Sequence, residues 1–565
     1  MTNVFRSSFS ENIFNHKYKH EGAETWEELA DTLVEDVCRD FISKEEKEEL
    51  KIIIANMEFI PGGRYLYYAG RPNKFFNNCY LFKSEEDSRE DWANTAWKHE
   101  MALMTGGGCG NDYSIYRPKG SLIKKTGGFA SGSVSKMKII NEIGREVMQG
   151  GSRRSALYAS LNWRHGDIEE FLHAKDWYDM KIGNTSIGEL KEQDFNFPAP
   201  LDMTNISLNY DNEFLEDLFG GEAEYIYKTK AKDVEIKGDL PQTYLENCKQ
   251  ALKSGEPGFS FNFYDKEKET LRNACTEVTS EDDSDVCNLG SINMSRIDTI
   301  ERFKRVVELS EKFLLCGTLV ADLPFEKIAK TREKNRRLGL GLMGVHEWLL
   351  KRNYKYEVTP ELHDWLSVYK TSSKESADSL ADELGVSRPV AYRAIAPTGT
   401  IGILAGTTTG IEPIFAVAYK RRYLKGDKDW HYEYVVDSTA KIVAEQAGVD
   451  PNTIESAIQL ANDFERRIKF QADIQDYVDM SISSTINLPA WGSELNNEDT
   501  VEKFAKTLAK YAHRLRGITV YPDGSRGGQP LTPVPYDTAN KLKGQVYKEE
   551  THDICDITGS GTCGI

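Results

Sequence analysis

The sequence predicts an α/β protein built on central strands, and three stretches of the chain carry that expectation. Val501, Phe504, Leu508 and Leu515 recur at helical spacing, Gly517 is placed as a C-cap glycine, and Ile518-Thr519-Val520-Tyr521 reads as a strand. The same alternation returns from Phe303 to Val320 and from Leu338 to Leu350, and Ala391 to Ala396 is strand-like. Periodicity by itself leaves an open sheet and a closed barrel equally available.

Taken in chain order, Trp26, Leu29, Leu33, Val34 and Val37 give the opening a helical pattern until Pro61-Gly62-Gly63 breaks it. Residues 1–60 therefore read as a helical segment, too short for a separate regulatory domain. Ser88-Arg89-Glu90-Asp91 resembles a capping box, followed by Trp92, Ala96, Trp97 and Met101 at helical spacing up to Gly106-Gly107-Gly108. No internal repeat or Pro/Ser-rich linker divides the remainder, so 61–540 is expected to be one catalytic body and 541–565 a flexible tail.

A chain of 565 residues can bury a large core. Its net charge of −18 and pI near 5.2 argue against a sequence-independent grip on nucleic acid, which depends on clustered Lys and Arg. Any phosphate is expected to be bound locally. The polar start MTNVFRSSFSENIF carries no secretory leader, and the nine cysteines are unevenly spaced, so a reducing cytoplasm is the expected setting rather than a disulfide framework. No apolar run reaches the roughly 20 residues that span a bilayer, and a membrane role is not expected.

The cysteines sort by context. Cys38, Cys248 and Cys316 lie within helical patterns and read as small buried hydrophobes. Cys109 is placed in a turn, where Gly106, Gly107, Gly108 and Gly110 point to close backbone approach. Cys79, Cys275, Cys287, Cys555 and Cys563 have polar or glycine neighbours and are expected on loops or strand edges, where redox chemistry is open to them. Cys275 has Asn273 two residues before it and Glu277 two residues after. In an extended segment the three side chains share one face and put a thiol, an amide and a proton acceptor together. Cys555 and Cys563 stand on the Gly/Ser/Thr-rich tail CDITGSGTCGI, which can serve as a mobile dithiol shuttle or carry two incidental thiols.

Pro397-Thr398-Gly399-Thr400-Ile401 follows a probable strand and offers hydroxyls and free N–H groups, which suit either a phosphate cradle or a plain strand-to-helix turn. Gly127-Gly128, Ser131-Gly132-Ser133 and Gly150-Gly151-Ser152-Arg153-Arg154 are weaker signals of the same type. The histidines show no metal-binding pair, and no serine sits in a hydrolase elbow, so neither a metal site nor a serine hydrolase is expected.

Read together, these residues resemble the catalytic subunit of a ribonucleotide reductase. Cys79, preceded by Asn78, resembles the first redox cysteine of that family. Asn273-Cys275-Glu277 resembles its active-site loop, and Cys287 with NLGSIN its second redox cysteine. GGGCGNDYSIYRPKG, TGGFASGSVS, GGSRRSA, GDIEEFL, NRRLGLGLMG, PTGTI and GIEPIF follow in the family's order. The resemblance implies a ten-stranded α/β barrel of two antiparallel five-stranded halves, with a central finger loop carrying Cys275. It implies a thiyl radical on Cys275 that removes the 3′-hydrogen, Glu277 as acceptor of the 3′-hydroxyl proton, and Asn273 as a holder of the substrate hydroxyls. Cys79 and Cys287 would supply two electrons and be re-reduced by Cys555 and Cys563, and these by a thioredoxin-like partner. Gly108 and Ser114 are implied as substrate-binding, and Pro397, Thr398, Gly399, Thr400 and Ile401 as the substrate phosphate loop. The substrate would be a ribonucleoside di- or triphosphate.

The family also suggests the radical source. The tail lacks the sequence of glycyl-radical reductases, and the strand before it reads Val520-Tyr521-Pro522-Asp523 without a pair of adjacent tyrosines. With PTGTI and SSTINLP, this is most similar to the adenosylcobalamin-dependent class II enzymes. The alternative is a subunit that takes its radical from a separate metal-containing partner through Tyr521 or Tyr536, and a third reading is a nucleotide-binding regulatory protein without catalysis. The resemblance further implies a homodimer and a dNTP or ATP effector near Asp87, Ser88 and Thr126, with a relay loop from about Asn196 to Thr204. It gives no expectation of an ATP cone in the opening segment. The spacing of Cys555 and Cys563 is wider than the family usually shows, and Ala274 and Thr276 replace more familiar residues.

Overall fold

The computed structural model describes residues 4–77, 79–124, 126–147, 155–194, 196–425, 429–525 and 531–548. Three helices open the described chain: α1 (Ser8–Lys17), α2 (Trp26–Cys38) and α3 (Lys44–Ala55). Thr25 and Ser43 cap α2 and α3 through reciprocal bonds with Glu28 and Glu46, which satisfies helix-end N–H groups that would otherwise lack partners. Leu29, Leu33, Val34 and Val37 are wholly buried, at about 1.5–3 kcal/mol per side chain. The long helix Ile300–Val320 belongs to the same apolar cluster, which ties the opening helices to the body.

Ten strands form one sheet. Five lie parallel, side by side: β1 (Cys79–Lys83), β2 (Gly108–Asp112), β3 (Leu157–Asn162), β4 (Thr204–Tyr210) and β5 (Gly258–Phe261). A second parallel set holds β6 (Asp285–Asn293), β7 (Leu338–Met343), β8 (Thr485–Leu488) and β9 (Gly517–Pro522). Between β7 and β8 runs the extended segment 391–396. It bridges in parallel from Leu340 to Arg393 and from Ile395 to Ile482, with Ser483 donating to the Ile395 carbonyl at 2.8 Å. The strand-like reading of Ala391 to Ala396 thus describes a stave held by isolated bridges rather than a continuous ladder. The two halves meet antiparallel at β1–β6 and at β5–β9. The result is a closed barrel of two five-stave halves, with Phe59–Pro61 pairing onto β6 as an added strand.

Helices cover the outside, as parallel strands require. Ser88 caps the helix Arg89–Met104 by accepting from Asp91 N, and Ser133–Glu146 packs beside it. Two sequence expectations are corrected here. Gly517 is not a C-cap: the helix ends at Tyr511, and Gly517 opens β9, where an added Cβ would lie 3.1 Å from the Phe259 carbonyl oxygen. Cys109 is not in a turn: it is a buried residue of β2, and the glycines flanking it serve the barrel interior.

Beyond the barrel, Ala418–Lys425 and Asp429–Val436 pair as a hairpin, extended by Leu531–Pro533 and Val546–Lys548. Regular structure therefore runs to Lys548, through the helix Tyr536–Leu542. Cys555 and Cys563 lie outside the described residues, as do Asn78 and Gly150-Gly151-Ser152-Arg153-Arg154. Among the described residues, no helix is long and apolar enough to cross a membrane.

Candidate active site

The finger between β5 and β6 is a hairpin whose stem pairs Leu271–Arg272 with Thr279–Ser280. Its tip is not the extended segment expected from the sequence. Residues 273–277 form a tight turn: Thr276 adopts φ +70° and donates its N–H to the Asn273 carbonyl at 3.0 Å. The turn still gathers the three side chains, because Asn273 Oδ1 accepts from Val278 N at 3.0 Å and locks the loop from within.

The finger enters the barrel because its neighbours are small. A Cβ on Gly110 would meet the Arg272 carbonyl oxygen at 1.8 Å, and one on Gly108 would sit 3.2 Å from the Ala274 Cβ. Close backbone approach of this kind is a glycine role. Arg272, 1% exposed, anchors the stem by donating to Asn262 Oδ1 at 2.8 Å and to the Arg516 carbonyl at 2.9 Å. Asn205 Nδ2 donates to the Ala274 carbonyl at 2.9 Å, and Ser481 N donates to that of Glu277 at 2.8 Å. Neither of these braces was found in the sequence, since an isolated Asn or Ser carries no local signal.

Cys79 and Cys287 stand directly opposite each other across the β1–β6 seam. Residues so paired have Cα atoms about 4.5–5.5 Å apart, within the range a disulfide spans. Cys287 lies inside a fully buried strand rather than on a loop or edge, and Cys79 begins β1. Both are free thiols, pushed well above the usual thiol range, first of all by burial. Asn273 Nδ2 donates to Cys79 Sγ at 3.0 Å, and that sulfur lies 3.9 Å from Glu277 Oε1. Glu277 is 1% exposed, and burial lifts its pKa to about 7 against the lowering pull of the Asn273, backbone and Cys79 hydrogen bonds. Its Oε2 is buried with no hydrogen-bond partner among the described residues. Cys275, by contrast, is exposed at the finger tip.

Cys79, Asn273, Cys275 and Glu277, though not Cys287, line a cavity of about 160 Å³ together with Gly108 and the whole run Pro397 to Ile401. The 397–401 run is the N-terminal end of the helix Gly399–Ala405, preceded by Thr398 in the left-handed region at φ +50°. Thr398 Oγ1 accepts from Gly410 N at 2.8 Å, and nothing lies within 4 Å of a Cβ built on Gly399. Helix N-termini of this form present N–H groups to anions. Tyr18, Gly62, Gly63 and Arg64 also line the cavity and were not picked out from the sequence as site residues, although Pro61-Gly62-Gly63 was noted as a helix breaker.

Ser114 is not part of this cavity. It lies six residues past Gly108, about 20 Å along an extended chain, and its hydroxyl donates to Asp112 Oδ1 at 2.5 Å and accepts from Asn162 N at 2.8 Å. Asp87, Ser88, Arg117, Phe129 and Ser131 line a separate cavity of about 250 Å³, with Asp87 paired to Arg117 at 2.6 Å. Thr126 sits in the turn between Leu122–Ile123 and Gly128–Phe129, which carries part of that wall.

Residues 77–364 and 363–521 match the family model described as ribonucleotide reductase, barrel domain. The chain is 28% identical to a vitamin B12-dependent ribonucleoside-diphosphate reductase of Thermoplasma acidophilum, over 85% of this chain and 65% of that protein. It is 26% identical to one of the same name from Mycobacterium tuberculosis, over 86% and 73%. A putative adenosylcobalamin-dependent ribonucleoside-triphosphate reductase of Mycobacterium phage D29 shares 24%, over 85% and 75%. Among solved structures, the class Id ribonucleotide reductase alpha subunit of Actinobacillus ureae superposes with a TM-score of 0.68 at 17% identity, covering 93% of this chain and 98% of that one. The last likeness bears on the fold.

Proposed function

The chain belongs to the ribonucleotide reductase family that carries the barrel domain, and from that premise we propose that it reduces ribonucleoside di- or triphosphates to 2′-deoxyribonucleotides with adenosylcobalamin as radical source. The observation that carries the reading is the convergence on one cavity of Cys79, the Cys275 finger and the 397–401 loop, with Cys287 paired to Cys79 across the seam behind it.

Asn273 and Glu277 hold the ribose hydroxyls, while the N–H groups and hydroxyls of 397–401 bind the phosphates. A thiyl radical on Cys275 takes the 3′-hydrogen, and Glu277 takes the 3′-hydroxyl proton. With a pKa near 7 the carboxyl can accept this proton and return one, which suits a group that must act in both directions. The 2′-hydroxyl leaves as water. Cys79 and Cys287 give up two hydrogen equivalents and become a disulfide, and Cys275 returns its hydrogen to the 3′ carbon. The sum is ribonucleotide plus two thiols to deoxyribonucleotide, water and a disulfide. Cys555 and Cys563 then reduce that disulfide by thiol exchange and are themselves reduced by a thioredoxin-like protein.

The exposure of Cys275 suits a thiol that must meet a large cofactor. Around it the small residues Gly108, Ala156 and Ala274 share the cavity lining with the bulkier Tyr18, Arg64, Leu289 and Ile401. When bound, adenosylcobalamin supplies a one-electron oxidant able to act on a thiol. The names of the relatives, which specify this cofactor for those proteins, support the assignment.

The cavity at Asp87, Ser88 and Arg117 is the proposed site of a dNTP or ATP effector, with 196–204 relaying its occupancy. Effector and substrate then alter each other's affinity by the same factor. The exposed Trp97, Met104, Phe129 and Ile139 lie on or beside the two helices next to this cavity, a surface suited to a second copy of the chain.

Anaerobic turnover of CDP and CTP by the purified chain, with a dithiol, an effector and with or without adenosylcobalamin, tests the reading. Deoxynucleotide formed only with the cobalamin is expected. Turnover that needs a second, metal-containing subunit instead would refute the choice of radical source.

A further inference from the structure

Helix α1 and the residues just before it belong to the opening segment, yet they reach the far end of the helix that carries the 397–401 loop. Arg6 donates to both carboxylate oxygens of the fully buried Glu347 at 2.8 Å and to the Gly406 carbonyl at 3.1 Å. Ser10 Oγ donates to the Ile403 carbonyl at 2.7 Å. Both carbonyls belong to the C-terminal end of the helix Gly399–Ala405, whose other end forms the 397–401 loop. Glu347 also accepts from Thr407 Oγ1 at 2.6 Å, so the same carboxylate grips the chain as it leaves that helix. Gly406, at φ +66°, is needed here: a Cβ would sit 2.9 Å from that of Arg6.

A helix of seven residues makes few internal hydrogen bonds, and isolated helices of that length are not stable in water. Its orientation depends on what satisfies its last carbonyls. A guanidinium at that end also complements the helix dipole, whose positive end faces the phosphates. The clamp is itself fixed. Phe5 stacks on Phe14 at 5.7 Å, and Phe14 meets the edge of Trp26 at 6.1 Å. At the end of α1, Tyr18 is 5% exposed and, among the described residues, supplies the sole aromatic ring lining the substrate cavity. Its hydroxyl lies 3.1 Å from where a Gly63 Cβ would stand, so the glycine makes room for it.

We propose that α1 is a working part of the nucleotide site: Arg6 and Ser10 are positioning residues that set the phosphate loop through its helix, and Tyr18 is a substrate-contacting residue. The proposal rests on the reading of 397–401 as a phosphate site. Two kinds of effect follow. Loosening the clamp weakens binding only of ligands that carry phosphates, whereas removing the Tyr18 ring weakens nucleoside and nucleotide alike.

The experiment is equilibrium binding of CDP, CTP and cytidine to the full chain, for the parent and for Ser10→Ala, Arg6→Lys, Tyr18→Ala and Thr400→Ala, with thermal melting to verify folding. Ser10→Ala and Arg6→Lys are expected to weaken CDP and CTP by roughly three- to tenfold, the equivalent of one hydrogen bond, and to leave cytidine unchanged. Tyr18→Ala is expected to weaken all three ligands. Phosphate affinity within about twofold of the parent in both clamp variants, each melting normally, overturns the clamp when Thr400→Ala still loses affinity. A parent chain that binds CDP no more tightly than cytidine, or a Thr400→Ala variant that binds CDP and CTP as tightly as the parent, overturns the phosphate-loop reading, and the clamp with it. A melting point that falls in both clamp variants without any CDP-over-cytidine effect also overturns it, because the contacts are then structural alone.

Discussion

Replacing Glu277 with glutamine keeps the shape of the side chain and removes its proton chemistry. The carboxyl is 1% exposed, and burial lifts its pKa from 4.5 to about 7. At about 1.4 kcal/mol per pKa unit, the shift corresponds to about 3 kcal/mol. The folded protein holds this proton more tightly than the unfolded chain, so stability falls as pH rises from the unfolded value through about 7. Glutamine does not titrate. E277Q is therefore expected to match the parent near about pH 4 and to exceed it by up to about 3 kcal/mol at about pH 8. Denaturant midpoints of the two proteins across this range measure the difference. Activity runs the other way: in the parent, kcat/KM rises with pH through about 7 as the carboxylate forms, and E277Q loses about 10²- to 10⁴-fold. A stability difference that does not change with pH, or an E277Q enzyme within about tenfold of the parent, would refute the reasoning.

Three further substitutions probe separate parts of the site. C287S is expected to abolish multiple turnover with a dithiol, and mass spectrometry of the parent after a single turnover should find a Cys79–Cys287 crosslink that C287S lacks. G110A places a Cβ 1.8 Å from the Arg272 carbonyl oxygen; it should cost at least about 3 kcal/mol or expel the finger, read as a lowered melting temperature together with lost turnover. R117A removes the 2.6 Å partner of Asp87 at the second cavity. It should weaken dNTP binding by equilibrium dialysis while unstimulated turnover stays near the parent's.

Part of the candidate chemistry was legible in the sequence because its residues lie close together along the chain, whereas the distant Cys79 and Cys287 were joined only by the family resemblance. Asn273, Cys275 and Glu277 are local, and the run 397–401 is contiguous, so spacing alone could group them. The shape of the finger was not legible. Alternation suggested an extended strand, yet Asn273 Oδ1 captures the Val278 N–H and Thr276 turns left-handed, a local hydrogen bond outcompeting the pleat. Cys109 was misplaced for a related reason: glycines usually mark turns, and here they mark a strand against which another backbone packs. Gly517 follows the same rule at the β5–β9 seam. The braces from Asn205, Ser481, Arg6 and Ser10 were invisible because each spans tens to hundreds of residues and leaves no periodic trace.

The closed barrel also explains why a redox pair can sit so deep. Parallel neighbours within each half come from successive units of the chain, which keeps local order. The two halves can meet only where that order is broken, at the antiparallel seams. Cys79 begins the first strand of one half and Cys287 lies in the first strand of the other, so closure itself brings them face to face. The finger is the connection between β5 and β6, the last strand of the first half and the first of the second. Because those two strands run in opposite directions, the connection leaves and returns at one rim, and its hairpin dips into the interior until Asn273 meets Cys79 at the seam. Cys275, Glu277 and the thiol pair are thus brought together by one topological event, and a chain that fails to close the barrel loses all of them at once.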